Sequence, residues 1–387
     1  MATFATCSYK YRHINSSNNS LMKNFLLTSI IVASLLSIAS CSGSGSADTQ
    51  GIDTVSLTGE LLIPYDHIKN PGNIYASDDR IFLVNFPDVD TLIDEFTLDG
   101  KPVRSFLRKG QGPDEAAFIY SSHIDAGKKR LMMVTTPGEL RSVSLAADAQ
   151  PLTEKVFAYN QDKDKLNFSL NTFMMADNRV LSAINSDKGI FALFNPDATF
   201  DRILAGHLPE SDFGEGLPEY AKINFLQPIG AVSPDGKHFV CYFGRADMTG
   251  FANIDGDSLD FRINYVAPPK GINVIVGDGY ISFDYGDDYT YYFRGNVTAS
   301  DSHAYMSYCG MLAREAEKRS KEMASGETEP FSLIRVYDFE GNIVRVLRTD
   351  AYAKAIAVSP DDKTLYALTE NDDNGYYIVR YTLPSYN

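Results

Sequence analysis

Carboxylates and tyrosines crowd one short stretch of this 387-residue chain, where residues 284–292 read DYGDDYTYY. Tyrosine faces stack on sugars and other apolar ligands, and carboxylates accept from hydroxyl donors. Asp284, Tyr285, Asp287 and Tyr289 are therefore the residue types of a glycan site. The plainer reading is a tyrosine-rich strand edge followed by a solvated acidic turn. Gln111 and Glu115 stand in residues 110–115 (GQGPDE), whose glycines suggest a phosphate cradle. No Gly-Lys-Ser/Thr and no helix start follows, which favours a structural crossing with Gln111 and Glu115 lining its rim. His207, in a long polar segment, and Tyr308, in a strand-like run, complete the ligand-binding candidates.

The other chemistry-bearing residues form no catalytic set. The histidines at 13, 67, 123, 207, 238 and 303 have no metal spacing, and no Gly-x-Ser-x-Gly elbow is present. Asp255, Asp257 and Asp260 offer oxygen ligands but lack the order and closing glutamate of an EF-hand loop, so an ordinary turn competes with calcium there. Residues 371–375 (NDDNG) read as a hairpin loop. No catalytic residue and no metal ligand is assigned, and calcium is the one cofactor weighed. Cys241 and Cys309 fall in strand-like runs of different repeats, which predicts two buried free thiols rather than a bridge.

The elements that must position these residues are announced by a repeated turn. Residues 230–240 (GAVSPDGKHFV) and 355–366 (AIAVSPDDKTLY) each carry an apolar run into Ser-Pro-Asp and out into a second apolar run. Proline presets φ and aspartate bonds its own backbone, so both are hairpins. Four weaker copies, at residues 75–82, 124–132, 175–181 and 298–305, bring the turn aspartates to 78, 125, 177, 235, 301 and 361, at intervals of 47, 52, 58, 66 and 60 residues. That is the period of a propeller blade carrying some long loops. The outer half of each blade is a strand, an Asp/Glu-x-Gly turn and a strand, clearest at residues 93–107 and 334–347. The expected fold is all-β: a six-bladed propeller with blades at 72–107, 119–158, 171–204, 229–266 and 291–347 and a last, incomplete blade from 354 to 381. Residues 54–63 (TVSLTGELLI) supply its missing outer strand and close the ring. Residues 313–323 (AREAEKRSKEM) form the one clear helix, an insertion in blade five with Glu315 four residues before Arg319.

The N-terminus gives an address. Lys23 opens a charged region ahead of the apolar run 25–38, a signal peptide over residues 1–40 whose true start is consistent with Met22. The run is short of the roughly 20 residues that span a bilayer. Residues 38–41 (Ile-Ala-Ser-Cys) resemble the lipobox of bacterial lipoproteins, which implies lipidation of Cys41. Residues 41–52 then form a flexible Gly/Ser linker, and 53–387 a single propeller domain. Removing residues 1–40 takes away Lys10, Arg12 and Lys23 and no carboxylate, leaving 32 basic against 50 acidic side chains, about −18. Such a surface repels nucleic acid and anionic lipid, so the anchor alone holds the membrane.

Residues 110–115 resemble the Gly-Gln-Gly-Pro-Gly-Glu signature between the first two blades of TolB-like six-bladed propeller lipoproteins. Residues 304–310 (AYMSYCG), 334–347 and 355–370 are similar to that family too. Asp114 departs from the pattern, where the family has glycine. The resemblance implies a propeller in the cell envelope, an outer-membrane lipoprotein facing the periplasm or the cell surface, and no established catalytic residue.

In such a blade the first and third turns lie on one rim, while the second loops and the crossings between blades lie on the other. The long segments 108–118, 205–222, 267–290 and 311–330 all belong to the second rim, the usual place for binding on a rigid scaffold. His123, His238 and His303 fall near the opposite rim and read as structural. The function expected is a monomeric, non-catalytic module that binds an envelope protein or a glycan through the long-loop rim. The alternative is a glycan lyase or hydrolase built from rim carboxylates and tyrosines.

Overall fold

The computed structural model describes residue 52 and residues 54–386, except 113, 126–127, 137–138, 147–152, 159–166, 187–188, 205–227, 256–257, 278–279 and 371–374. Residues 1–40, expected to be a signal peptide, Cys41 and His207 lie outside the described residues. Alternating apolar residues fold into six antiparallel sheets taken in chain order, a six-bladed propeller. Blade one runs Pro71–Ala76, Arg80–Asn85, Thr91–Thr97 and Pro102–Lys109, with Glu115–Ala116 added in parallel on its outer edge. The first strands of neighbouring blades contact one another, so they line the axis. Six apolar clusters fill the six gaps between neighbouring blades. Burial is thus spread round the ring: Leu83 of blade one meets Leu368 of blade six, and Val84 of blade one meets Met133 of blade two.

The repeated turns behave as their residues dictate. Ser233 Oγ donates to Asp235 at 2.5 Å, and Ser359 Oγ to Asp361 at 2.7 Å, while Gly236 takes the left-handed φ of 71°. A Cβ at Gly236 would meet Ala176 at 2.8 Å, because the Ala176 N–H donates to the Gly236 carbonyl in the neighbouring blade. The three rim histidines also bridge blades. The Met174 N–H donates to His123 Nε2 at 3.2 Å, His238 stacks on Phe339 at 3.9 Å, and His303 Nδ1 lies 2.5 Å from Asp362.

Burial pushes the His123 imidazole down from its ordinary 6.5 to about 4. The unfolded chain accepts a proton that the folded protein refuses, so this site's contribution is complete above about pH 6.5, declines as pH falls towards 4, and levels off below. The whole step is about 3 kcal/mol. Urea unfolding at pH 7 and pH 5 is expected to show that decline, and His123→Gln, whose amide oxygen keeps the Met174 bond, is expected to flatten it. Equal pH slopes in parent and variant would remove His123 as the cause.

Three expectations need correction. Residues 54–63 are not one strand on blade six. Only β2 (Glu60–Ile63) pairs there, antiparallel to Tyr376–Thr382, whereas β1 (Thr54–Ser56) lies parallel to the outer strand of blade five, Ile343–Arg348. The division falls where Leu57 sinks between the two blades and Gly59 passes so close to Val379 and Tyr381 that no side chain fits. Residues 267–290 are not an open loop. Ile272–Gly277 and Tyr280–Tyr285 pair as a hairpin that lays Ile272, Val274 and Phe283 on the core between blades three and four. Third, α1 (Ala313–Ala324) forms, but its pairs are Lys318–Glu322 and Lys321–Glu317. Arg319 turns inward and donates to the Phe331 carbonyl at 3.2 Å.

Candidate functional site

The hairpin carries the tyrosine stretch up to the first strand of blade five, Thr290–Ala299. Tyr285, Tyr289 and Tyr291 follow one another at 4.7 Å and 4.7 Å between ring centroids, tilted and then edge-on. Arginines brace both ends of this ladder. Arg245 lies 4.5 Å above the Phe283 ring and donates from Nε to the Tyr285 hydroxyl at 3.1 Å. Arg294 lies 4.6 Å above Tyr291 and donates to the Tyr352 hydroxyl at 2.9 Å. Tyr285 is 46% exposed and Tyr289 only 5%, so the outer ring is offered to solvent on a fixed base. Burial pushes the Tyr289 phenol far above its ordinary range, which keeps it a neutral hydrogen-bond donor. Asp284 and Asp287 are exposed beside the ladder.

The other candidates are placed elsewhere. Gln111 is exposed on its loop. The Glu115 carboxylate folds back to accept from the Gly112 N–H at 2.9 Å, and it fills the space a side chain at Gly110 would need. Residues 110–115 are therefore a crossing closed on its own glutamate, with the acceptor spent, rather than a cradle of free N–H groups. Tyr308 points away from the ladder into the gap between blades four and five. Its hydroxyl donates to Asp247 at 3.1 Å and its ring lies 3.3 Å under the Arg335 guanidinium. Asp260, weighed as a calcium ligand, faces Arg262 at 3.1 Å, and Asp257 lies outside the described residues. Cys241 and Cys309 are both free, as expected, but only Cys241 is buried; Cys309 is half-buried.

A small cavity of about 240 Å³ opens on the opposite rim between the turns of blades two, three and four, lined by Met174, Met175, Val232, Asp125 and Asp235 among others. Asp125 is held by Arg130 at 2.8 Å, and Asp235 accepts from Ser233 Oγ and the Lys237 N–H at 3.0 Å. Both carboxylates serve their own turns. That leaves a shallow apolar dent below the usual size of a small-molecule pocket.

Sequence reasoning missed the arginines of the long-loop rim. Arg245, Arg294, Arg319 and Arg348 are scattered through the sequence, and no local motif joins them. Their one signal is that each stands within or next to an apolar or helical run. Arg319 and Arg348 lie 3.5 Å and 4.2 Å from the centroid of the same Phe331 ring.

No family model and no curated protein matches the chain. Solved structures are similar to it over most of its length. A protein of Bacteroides fragilis assigned as exported shares 12% identity, covering 89% of this chain and 98% of that one, with a TM-score of 0.48. A member of the DUF4221 family from Bacteroides vulgatus shares 10%, over 84% and 97%, with a TM-score of 0.49. PorZ, described as a surface component of the type-IX secretion system of Porphyromonas gingivalis, shares 10%, over 85% and 40%, with a TM-score of 0.39. These are likenesses only, and the six blades stand on the strand order. No helix among the described residues is long and apolar enough to cross a membrane.

Proposed function

We propose that this chain is a lipid-anchored propeller of the cell envelope, of TolB-like type, that works as a non-catalytic binding module through its long-loop rim. The observation that carries the reading is the braced ladder of Tyr285, Tyr289 and Tyr291, an aromatic face held rigid from below and open above. Aromatic faces with fixed polar neighbours suit a glycan or an envelope protein. The lipoprotein and outer-membrane assignments rest on residues 38–41 and on the resemblance of residues 110–115. β1 runs parallel to the outer strand of blade five, so the chain enters from the side of the tight turns. An anchor at Cys41 then leaves the ladder facing away from the membrane.

Tyr285→Ala removes the half-exposed outer ring and leaves the buried Tyr289 in place, so the expected result is a melting temperature lowered by no more than a few degrees and loss of a specific partner in pull-downs from solubilised membranes. Deleting α1, whose inward side chains include Ala316 and Arg319, tests whether the helix shares that surface. An identical set of retained partners for parent, Tyr285→Ala and the deletion would refute binding on this rim.

A further inference from the structure

Arg319 and Arg348 converge on the Phe331 ring at the blade-five end of the tyrosine ladder, and Arg294 lies within electrostatic reach of Arg319. Arg294 comes from the first strand, Arg319 from α1 and Arg348 from the end of the outer strand. Arg319 and Arg348 share the Phe331 ring, and Arg294 shares Tyr291 with the ladder. None of the three forms an ion pair with a carboxylate among the described residues. Arg348 donates no side-chain hydrogen bond there, Arg294 donates only to the Tyr352 hydroxyl, and Arg319 donates only to the Phe331 carbonyl, while its buried Nε has no partner. Asp350, two residues beyond Arg348, spends its carboxylate on the Gly59 N–H at 3.1 Å and 3.2 Å.

This arrangement runs against the rest of the molecule. Acidic residues exceed basic ones by 15 over the whole chain, so a half-buried arginine has many carboxylates to choose from. Like charges drawn together repel: burial, Arg348 and Arg294 lower the affinity of Arg319 for its own proton, whereas Arg294, despite its burial, is shifted upward by Tyr352 and Cys309. What favours such a cluster is an anion that accepts from several planar forks at once, as carboxylate and sulfate groups do. The neighbouring ladder specifies what carries the anion, because Tyr291 belongs to both features and ring faces stack on sugar rings.

We infer that Arg294, Arg319 and Arg348 form an oxyanion subsite, and that the rim takes an acidic saccharide whose carboxylate or sulfate group sits among the arginines while its rings lie along Tyr291 and Tyr285. This deepens the binding role proposed above and rests on it. The probes are tetragalacturonate, its methyl ester and pentaglutamate, titrated by calorimetry against the parent domain, Arg348→Gln, Arg348→Lys and Tyr285→Ala. Arg348 makes no side-chain hydrogen bond among the described residues, so its variants are expected to fold, and their melting temperatures check this.

Tetragalacturonate is expected to bind the parent, with affinity falling steeply as salt rises. Arg348→Gln is expected to weaken it by about tenfold or more, Arg348→Lys by less, and the methyl ester to bind no better to the parent than to Arg348→Gln. Binding of both saccharides that Tyr285→Ala abolishes and Arg348→Gln leaves unchanged would overturn the oxyanion subsite while sparing the rim. Binding of pentaglutamate equal to that of tetragalacturonate would overturn the saccharide assignment. No binding of either saccharide would overturn the inference outright.

Discussion

A chain that starts at residue 64 is expected to lose most of its cooperative stability and to aggregate. That truncation removes β1, β2 and the link between them, with Leu57 7% exposed and Ile63 fully buried. Two such side chains are worth about 4 kcal/mol of burial together. Whole domains hold only about 5–15 kcal/mol. The same cut bares the strand Tyr376–Thr382 as an open edge and empties one side of the cluster where blade six meets blade one, which contains Ile63, Ile74, Leu368 and Ile378. A bare edge offers unpaired N–H and C=O groups to a second chain. A chain starting at residue 58 keeps β2 and is expected to fall in between, losing Leu57 and the three residue pairs of β1 but not the closure. Thermal unfolding with light scattering measures both. If the chain from residue 64 melts within about 2 °C of the full domain, the ring does not depend on its N-terminal strand.

Asp247→Ala is expected to be the most damaging single substitution in the core, at about 3–5 kcal/mol. Arg335 Nη1 lies 3.0 Å from the Asp247 carboxylate, with both side chains only 2% exposed, and the pair ties the third strand of blade four to that of blade five. Removing the aspartate leaves a guanidinium far from water, stacked on Tyr308 with no counter-charge. Taking away the arginine as well, as Arg335→Met, is expected to recover much of the loss, because the uncompensated charge and not the missing contact is the larger cost. Urea unfolding of the two single variants and the double variant makes the cycle. A loss below about 1 kcal/mol for Asp247→Ala would show that water reaches the pair, since that is the range of exposed ion pairs.

The architecture was readable because each blade declares itself locally. Ser233-Pro234-Asp235 and Ser359-Pro360-Asp361 build their turns from bonds within a few residues, so six copies could be counted without any knowledge of packing. Closure by the N-terminus was readable from the missing outer strand of blade six. The break between β1 and β2 was not, because it depends on Leu57 meeting Leu347 and Val379, and on Gly59 meeting Asp350, some 290 residues away in the chain. The hairpin from Ile272 to Tyr285 alternates clearly enough to be read as strands, yet its place beyond the fourth strand of blade four put it among the loops. Within the rim, Tyr285 and Tyr289 were found because they are neighbours in sequence. Arg294, Arg319 and Arg348 were not, because only the blade's fold gathers a first strand, an inserted helix and a last strand at one end. Tyr308 misled for the converse reason: it shares a run with residues near the rim, but its side chain faces the next blade.

The division of the N-terminal segment between two blades has a mechanical consequence. A pull on residue 52 loads the three residue pairs of β1 first, then the grip of Asp350 on the Gly59 amide, and only after both the closing strand itself. The domain thus carries a fuse upstream of its clasp: the outer attachment on blade five gives way before the tension reaches the strand that keeps the circle shut.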